Sequence, residues 1–293
     1  MENTQINIVQ VITQTINNLL SNLFSSIDNS LYLVLDDLLF INSDIFDNQF
    51  LSKIFGSSTS GLILICNSLL VGFSFYYGLK LLLSYITFQE VQKPSQFVIK
   101  LFLSALAMNC SLFIVENIVN IFSFLSLSIR EIGETVFDKN ICLSTFIQEI
   151  NSIIYLNDST LNIFTINGLA KSIISVGLLN LAISYSLRYV MVKIFILLSP
   201  FAFISLVNNS TSWVFKSWFK MLVSMLVLEL VVPIILMVSF SIDLSGSDIF
   251  SKLIYIGSVY ALIKANSYVR EFMGGLSTDV NTGISSLKNL ISK

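Results

Sequence analysis

Long apolar runs broken by short polar ones dominate the chain from residue 61 onward. They cover roughly 61–86, 100–128, 168–198 and 221–242, with a shorter one at 253–269. A helix of about 20 apolar residues crosses the ~30 Å hydrocarbon core of a bilayer. The period-two alternation of a membrane β-barrel is absent. The pattern predicts an all-α, polytopic helical membrane protein with about five transmembrane helices over 58–270 and a cytoplasmic tail at 271–293. The first 57 residues differ. Ile8, Ile12, Ile16, Leu19, Leu23 and Ile27 recur every three or four positions among Asn, Gln, Thr and Ser, one stripe of an amphipathic helix. Leu31, Leu35, Leu38 and Leu39 form a second set, with Asp36 and Asp37 on the other side. These predict an extracytoplasmic amphipathic region, either a cap on the membrane domain or a helix at the interface or an oligomer contact.

The stretch after Lys193 fits neither pattern. Ile194 to Val207 is apolar but interrupted by Ser199-Pro200, and the polar residues 208–212 follow. Pro200 removes an N–H and crowds the preceding turn, so a helix coming from Gly168 is expected to kink or stop near Ser199. Phe201 to Ile204 would then re-enter the membrane, lie in the interface or meet a neighbouring subunit, with Phe201 and Phe203 as contact residues. Residues 208–212 would supply a Ser or Thr cap to the next helix. There Trp213, Lys216 and Lys220 share a face suited to the headgroup level, with Trp218 beside them.

Basic residues decide between topologies, because cytoplasmic flanks are enriched in them. If 194–207 does not cross separately, Lys80, Lys93, Lys100, Arg188, Lys193, Lys216, Lys220, Lys264, Arg270, Lys288 and Lys293 lie on one side. Only Lys53, Arg130, Lys139, Lys171 and Lys252 lie on the other. A separate crossing erases that asymmetry. The better arrangement has five crossings in the cell membrane, amino terminus outside and carboxyl terminus cytoplasmic.

Composition narrows the chemistry. Charged residues are only 12% of the chain and hydrophobic ones 54%, too little polar surface for a soluble globule. The absence of histidine removes His-based catalysis and His-ligated metal. Cys66, Cys110 and Cys142 are widely spaced, unlike a disulfide framework or a zinc site. No nucleotide-binding or hydrolase motif occurs. No enzyme activity and no cofactor is expected.

Two carboxylates fall inside apolar runs, Glu116 and Glu229, and such groups are costly in lipid. Pro233 frees the carbonyl four residues earlier, that of Glu229, which predicts a polar notch. The carboxylates either line a pore or proton-sensitive site or pair between helices, with Lys80, Lys264, Asn67, Asn109 or Asn180 as candidate partners. Small residues (Gly72, Ser74 and Gly78; Ser104, Ala107 and Ser111) predict close helix contacts.

A long span ending in basic residues, then "LLSPFAFISL", then "SWVFKSWFKMLVSMLVLEL", resembles the TrbL-type polytopic subunits of type IV secretion systems, in the form found on conjugative elements of Gram-positive bacteria. The resemblance is specific over about 168–242. It implies a non-enzymatic scaffold and translocation-channel subunit that forms a homo-oligomer in membrane lipid with other secretion-system membrane subunits and ATPases. It also implies transient contact with a transferred DNA–protein substrate. The residues themselves show no basic, aromatic-interleaved groove, so no stable nucleic-acid binding is expected. Many extracytoplasmic positions are acidic, which suits a non-adhesive path. The rival readings are a permease subunit for a small solute, which lacks a visible internal repeat, and a membrane scaffold without a conduit.

Overall fold

A computed structural model describes residues 14–19, 22, 34–41, 45–46, 49–56, 60–88, 92–155, 166–242 and 249–273. Among these residues there is no strand, and nearly all are helical. The helices are α1 (Gln49–Phe55), α2 (Gly61–Thr87), α3 (Pro94–Asn109), α4 (Ser111–Phe137), α5 (Leu143–Tyr155), α6 (Ile166–Ile204), α7 (Ser212–Ser241) and α8 (Ile249–Met273). Among the described residues four stretches are long and apolar enough to cross a membrane: Gly61–Thr87, Ser111–Phe137, Gly168–Val207 and Ser212–Ser241. They are consistent with a multi-pass membrane protein. The expected fifth span, 253–269, lies inside α8, whose apolar character is diluted by Ser258, Lys264, Asn266 and Ser267.

The structure departs from the hydropathy pattern at two places. The run at 100–128 is two helices, because the backbone at Cys110 adopts φ −91° and ψ 7° between α3 and α4. The 168–207 region is one helix that passes through Pro200 to Ile204 and closes as a 3-10 turn over Ser205–Val207. Packing outweighs the lost hydrogen bond at Pro200. Ala202, Phe203 and Ile204 are buried in one apolar cluster with Phe97, Trp218 and Leu222, and Phe201 packs against it. At 1.5 Å per residue the 39 residues of α6 extend roughly 58 Å, about twice the hydrocarbon thickness.

The amino-terminal region is represented by 14–19, 22, 34–41 and 45–46; Ile8, Ile12, Leu23, Ile27 and Leu31 lie outside the described residues, as does the tail beyond 273. Ile16 and Leu19 are exposed. Leu35, Leu39, Phe40, Ile41 and Ile45 are buried among the long helices. Asp36 Oδ1 accepts the Leu143 N–H (2.8 Å) at the start of α5, where a carboxylate complements the helix dipole. The Arg130 guanidinium lies 4.4 Å from the centre of the Phe40 ring.

The small residues divide. Ser104 and Ser111 are buried, whereas a side-chain carbon at Gly72 or Gly78 would meet nothing within 4 Å. Gly133 on α4 is the tight contact: an added Cβ would lie 2.8 Å from Ile141 Cγ1 and 2.9 Å from Met237 Cγ of α7. Overfilling a packed site costs about 1–3 kcal/mol. Gly133→Leu is therefore expected to lower the unfolding temperature in detergent, while Gly72→Leu leaves it unchanged; equal behaviour of the two would contradict the α4–α7 packing.

Candidate functional site

Among the described residues the largest fully buried side chain is Arg188, near the middle of α6 and 1% exposed. Its Nε donates to the Met225 carbonyl of α7 (2.9 Å) and its Nη1 to the Leu39 carbonyl of the amino-terminal segment (2.9 Å). Nη2 lies 3.9 Å from Glu229 Oε2, and both side chains are 1% exposed. Met225 and Glu229 are four apart, so Arg188 lies against one turn of α7. Both carboxylate oxygens of Glu229 are buried without a hydrogen-bond partner. Pro233 leaves the Glu229 carbonyl without its helical donor, and Ser126 Oγ of α4 donates to it at 2.9 Å. The notch expected from Pro233 is thus filled by α4. One polar layer ties α4, α6, α7 and the segment at Leu39 together.

This layer lies where two apolar clusters meet. Leu39, Tyr185 and Leu228 belong to one cluster; Ile41, Val192 and Leu226 belong to the other. Neither Lys80 nor Lys264 serves as the partner of Glu229. Lys80 is exposed on α2, and Lys264 lies half-buried with its ammonium 5.9 Å from the Tyr260 ring. Arg188 counts among the basic residues of the cytoplasmic side by sequence, whereas the structure buries it inside α6. The stretch that follows it, Val190 to Leu198, is almost as apolar with only Lys193 in it, and that was the signal available.

Glu116 stands apart from this layer, on the outward side of α4. Glu116, Asn120 and Ser123 are half-buried, and Asn117, Ser128 and Glu131 are exposed. Interrupted on the same face by the exposed Phe113, Phe124 and Leu127, they follow helical spacing as a polar stripe over roughly 22 Å at 1.5 Å per residue. Such hydrogen bonds as these side chains make return to their own helix, Asn117 Nδ2 to the Phe113 carbonyl and Ser128 Oγ to that of Phe124. A separate exposed strip on α4 is apolar: Ile121, Leu125, Ile132 and Val136. The buried face carries Val115, Val119, Ser126 and Gly133.

The α6–α7 tip forms the third feature. Ser205 Oγ accepts the Phe215 N–H (3.1 Å), while Thr211 Oγ1 donates to the Ser205 carbonyl (2.7 Å). The expected cap therefore comes from Ser205 across the turn, not from Thr211 or Ser212. Lys100 Nζ donates to Asn209 Oδ1 (2.6 Å). Trp218 is buried, with Nε1 donating to the Phe195 carbonyl (2.9 Å) and its ring 5.7 Å from that of Phe203. Trp213, Lys216 and Lys220 are exposed on the opposite face.

Breaking a buried ion pair from one side costs about 3–5 kcal/mol, whereas replacing both partners by apolar residues is far milder. Arg188→Met is accordingly expected to destabilise strongly, and Arg188→Met with Glu229→Met to regain part of the loss. Denaturant unfolding in detergent measures this; a double variant as unstable as the two single losses added together would show that the groups do not act as a pair.

No protein-family model, curated protein or solved structure matches the chain.

Proposed function

We propose that this protein is a scaffold and conduit-lining subunit of a type IV secretion machine, working as an oligomer in the cell membrane to pass a DNA–protein substrate powered by separate ATPases. The observation that carries the conduit is the outward polar stripe of α4. Carboxamides and carboxylates facing hydrocarbon are expensive, and in membrane proteins such groups face a partner or a water-filled cavity. A ring of subunits that turns this stripe inward satisfies it. The stripe carries Glu116 and Glu131 and no basic residue, so it offers phosphate no cation to grip and suits transit over retention. The resemblance over 168–242 supplies the machine; those residues form the α6–α7 hairpin.

The orientation belongs to the same proposal. With α8 as a fifth crossing, the amino terminus is outside and the α6–α7 tip and carboxyl terminus are cytoplasmic, placing Lys80, Lys93, Lys100, Lys216 and Lys220 inside. A cysteine-free protein carrying single cysteines tests both points. At exposed Asn140 a membrane-impermeant maleimide should react in intact cells; at Ser210 it should react only after permeabilisation. In the assembled complex, cysteines at Asn117, Asn120 and Ser128 should react, and those at Ile121, Leu125 and Ile132 should not. Asn117→Leu with Asn120→Leu should lower conjugative transfer on the order of tenfold, equivalent to about 1.4 kcal/mol, at unchanged membrane abundance. Equal reactivity around α4 with undiminished transfer would remove the conduit.

A further inference from the structure

On the basic end of the bundle, α2, the start of α3 and the α6–α7 tip line a small, partly open cleft. Its polar lining includes Lys80, Gln92 and Asn208, beside Tyr76 and Tyr77. Tyr77 builds one wall: its hydroxyl donates to the Gln92 carbonyl (2.6 Å) and its ring stacks on Phe97 at 3.8 Å. Held this way, Gln92 carries a buried Nε2 that donates to nothing. Asn208 Oδ1 accepts the Ser210 N–H (3.2 Å), leaving its NH2 group as a further donor. Among the described residues no carboxylate lines the cleft. An ammonium and two amide donors without a counter-charge describe an anion site, and phosphate oxygens match such donors.

We propose that this cleft binds the phosphate headgroup of an anionic phospholipid. The surroundings select a lipid over a soluble phosphate. On the face of α2 that carries Lys80, Leu69, Tyr76 and Leu83 are exposed. The polar notch is therefore set into an apolar surface that acyl chains cover, and a lipid reaches it by lateral diffusion with its tails along that surface. Basic pockets between helices on the cytoplasmic side take anionic headgroups in this way. The cytoplasmic placement rests on the orientation proposed above, while the cleft itself stands or falls apart from the conduit.

The test compares thermal unfolding of the whole protein in phosphatidylcholine nanodiscs with nanodiscs of phosphatidylcholine plus phosphatidylglycerol. A ligand of the folded state raises Tm, so phosphatidylglycerol should raise it by several degrees. Lys80→Met and Gln92→Leu should each lose most of that rise. Lys220→Met, which removes an exposed charge at the same end, should keep it, and inorganic phosphate added to phosphatidylcholine nanodiscs should give none. Native mass spectrometry of the unmodified protein should retain phosphatidylglycerol over phosphatidylcholine, which decides the matter even if a variant fails to fold. The proposal is overturned by equal Tm in both lipids, or by a full rise in Lys80→Met. An equal loss in Lys220→Met would mean general surface attraction, and a rise with phosphate alone would mean a soluble anion.

Discussion

Burying a guanidinium where no water reaches it is the constraint that organises this protein. Arg188 brings five N–H donors in a fixed plane into an interior otherwise built of Leu, Ile, Val and Phe, and its Nη2 makes no hydrogen bond. Two of the donors find carbonyls, of Met225 and Leu39, and the charge faces Glu229. A lysine in the same place would supply a point charge without the fork that reaches two backbones at once. Because those carbonyls belong to α7 and to the amino-terminal segment, the register of α6 against both is set at this one side chain. Apolar packing alone tolerates sliding by a turn; a fixed set of acceptors does not.

The same layer explains the division of the interior. Above and below it the helices bury separate apolar clusters, and the polar plane is crossed by α4, α6 and α7. Ser126 completes the plane on the α4 side by meeting the carbonyl that Pro233 leaves open. With one face of α4 held in this way and another strip apolar, its stripe of Glu116, Asn117 and Asn120 is left turned away from the subunit. The rigid centre and the outward polar face are thus two sides of one helix.

Much of this was legible in the chain. Continuous apolar runs announced the long helices, and the intramembrane carboxylates with Pro233 marked Glu229 as unusual. What hid from the pattern were groups whose meaning is tertiary. Arg188 looks like a flank because a charge ends an apolar window whether it meets water or a buried partner. Asp36 looks like surface, yet it lies on the start of α5 while Leu35 and Leu39 beside it are buried. Pro200 predicts a break that the packing of Phe203 against Phe215 and Trp218 overrides. Residues 208–212 announce a turn, but only the folded hairpin reveals that Ser205 caps it.

The bond from Arg188 to the Leu39 carbonyl spans 149 positions, and this has a meaning for biogenesis. At synthesis rates of about 5–20 residues per second, Leu39 leaves the ribosome roughly 7–30 s before its partner exists. Glu229 follows later still. Until Arg188 is made the Leu39 carbonyl has no guanidinium to meet, although the Asp36 contact with Leu143 can form earlier, and the leucines beside it wait in the interface or under a chaperone. The contact that sets the depth of this early-made segment is therefore among the last of its contacts to form.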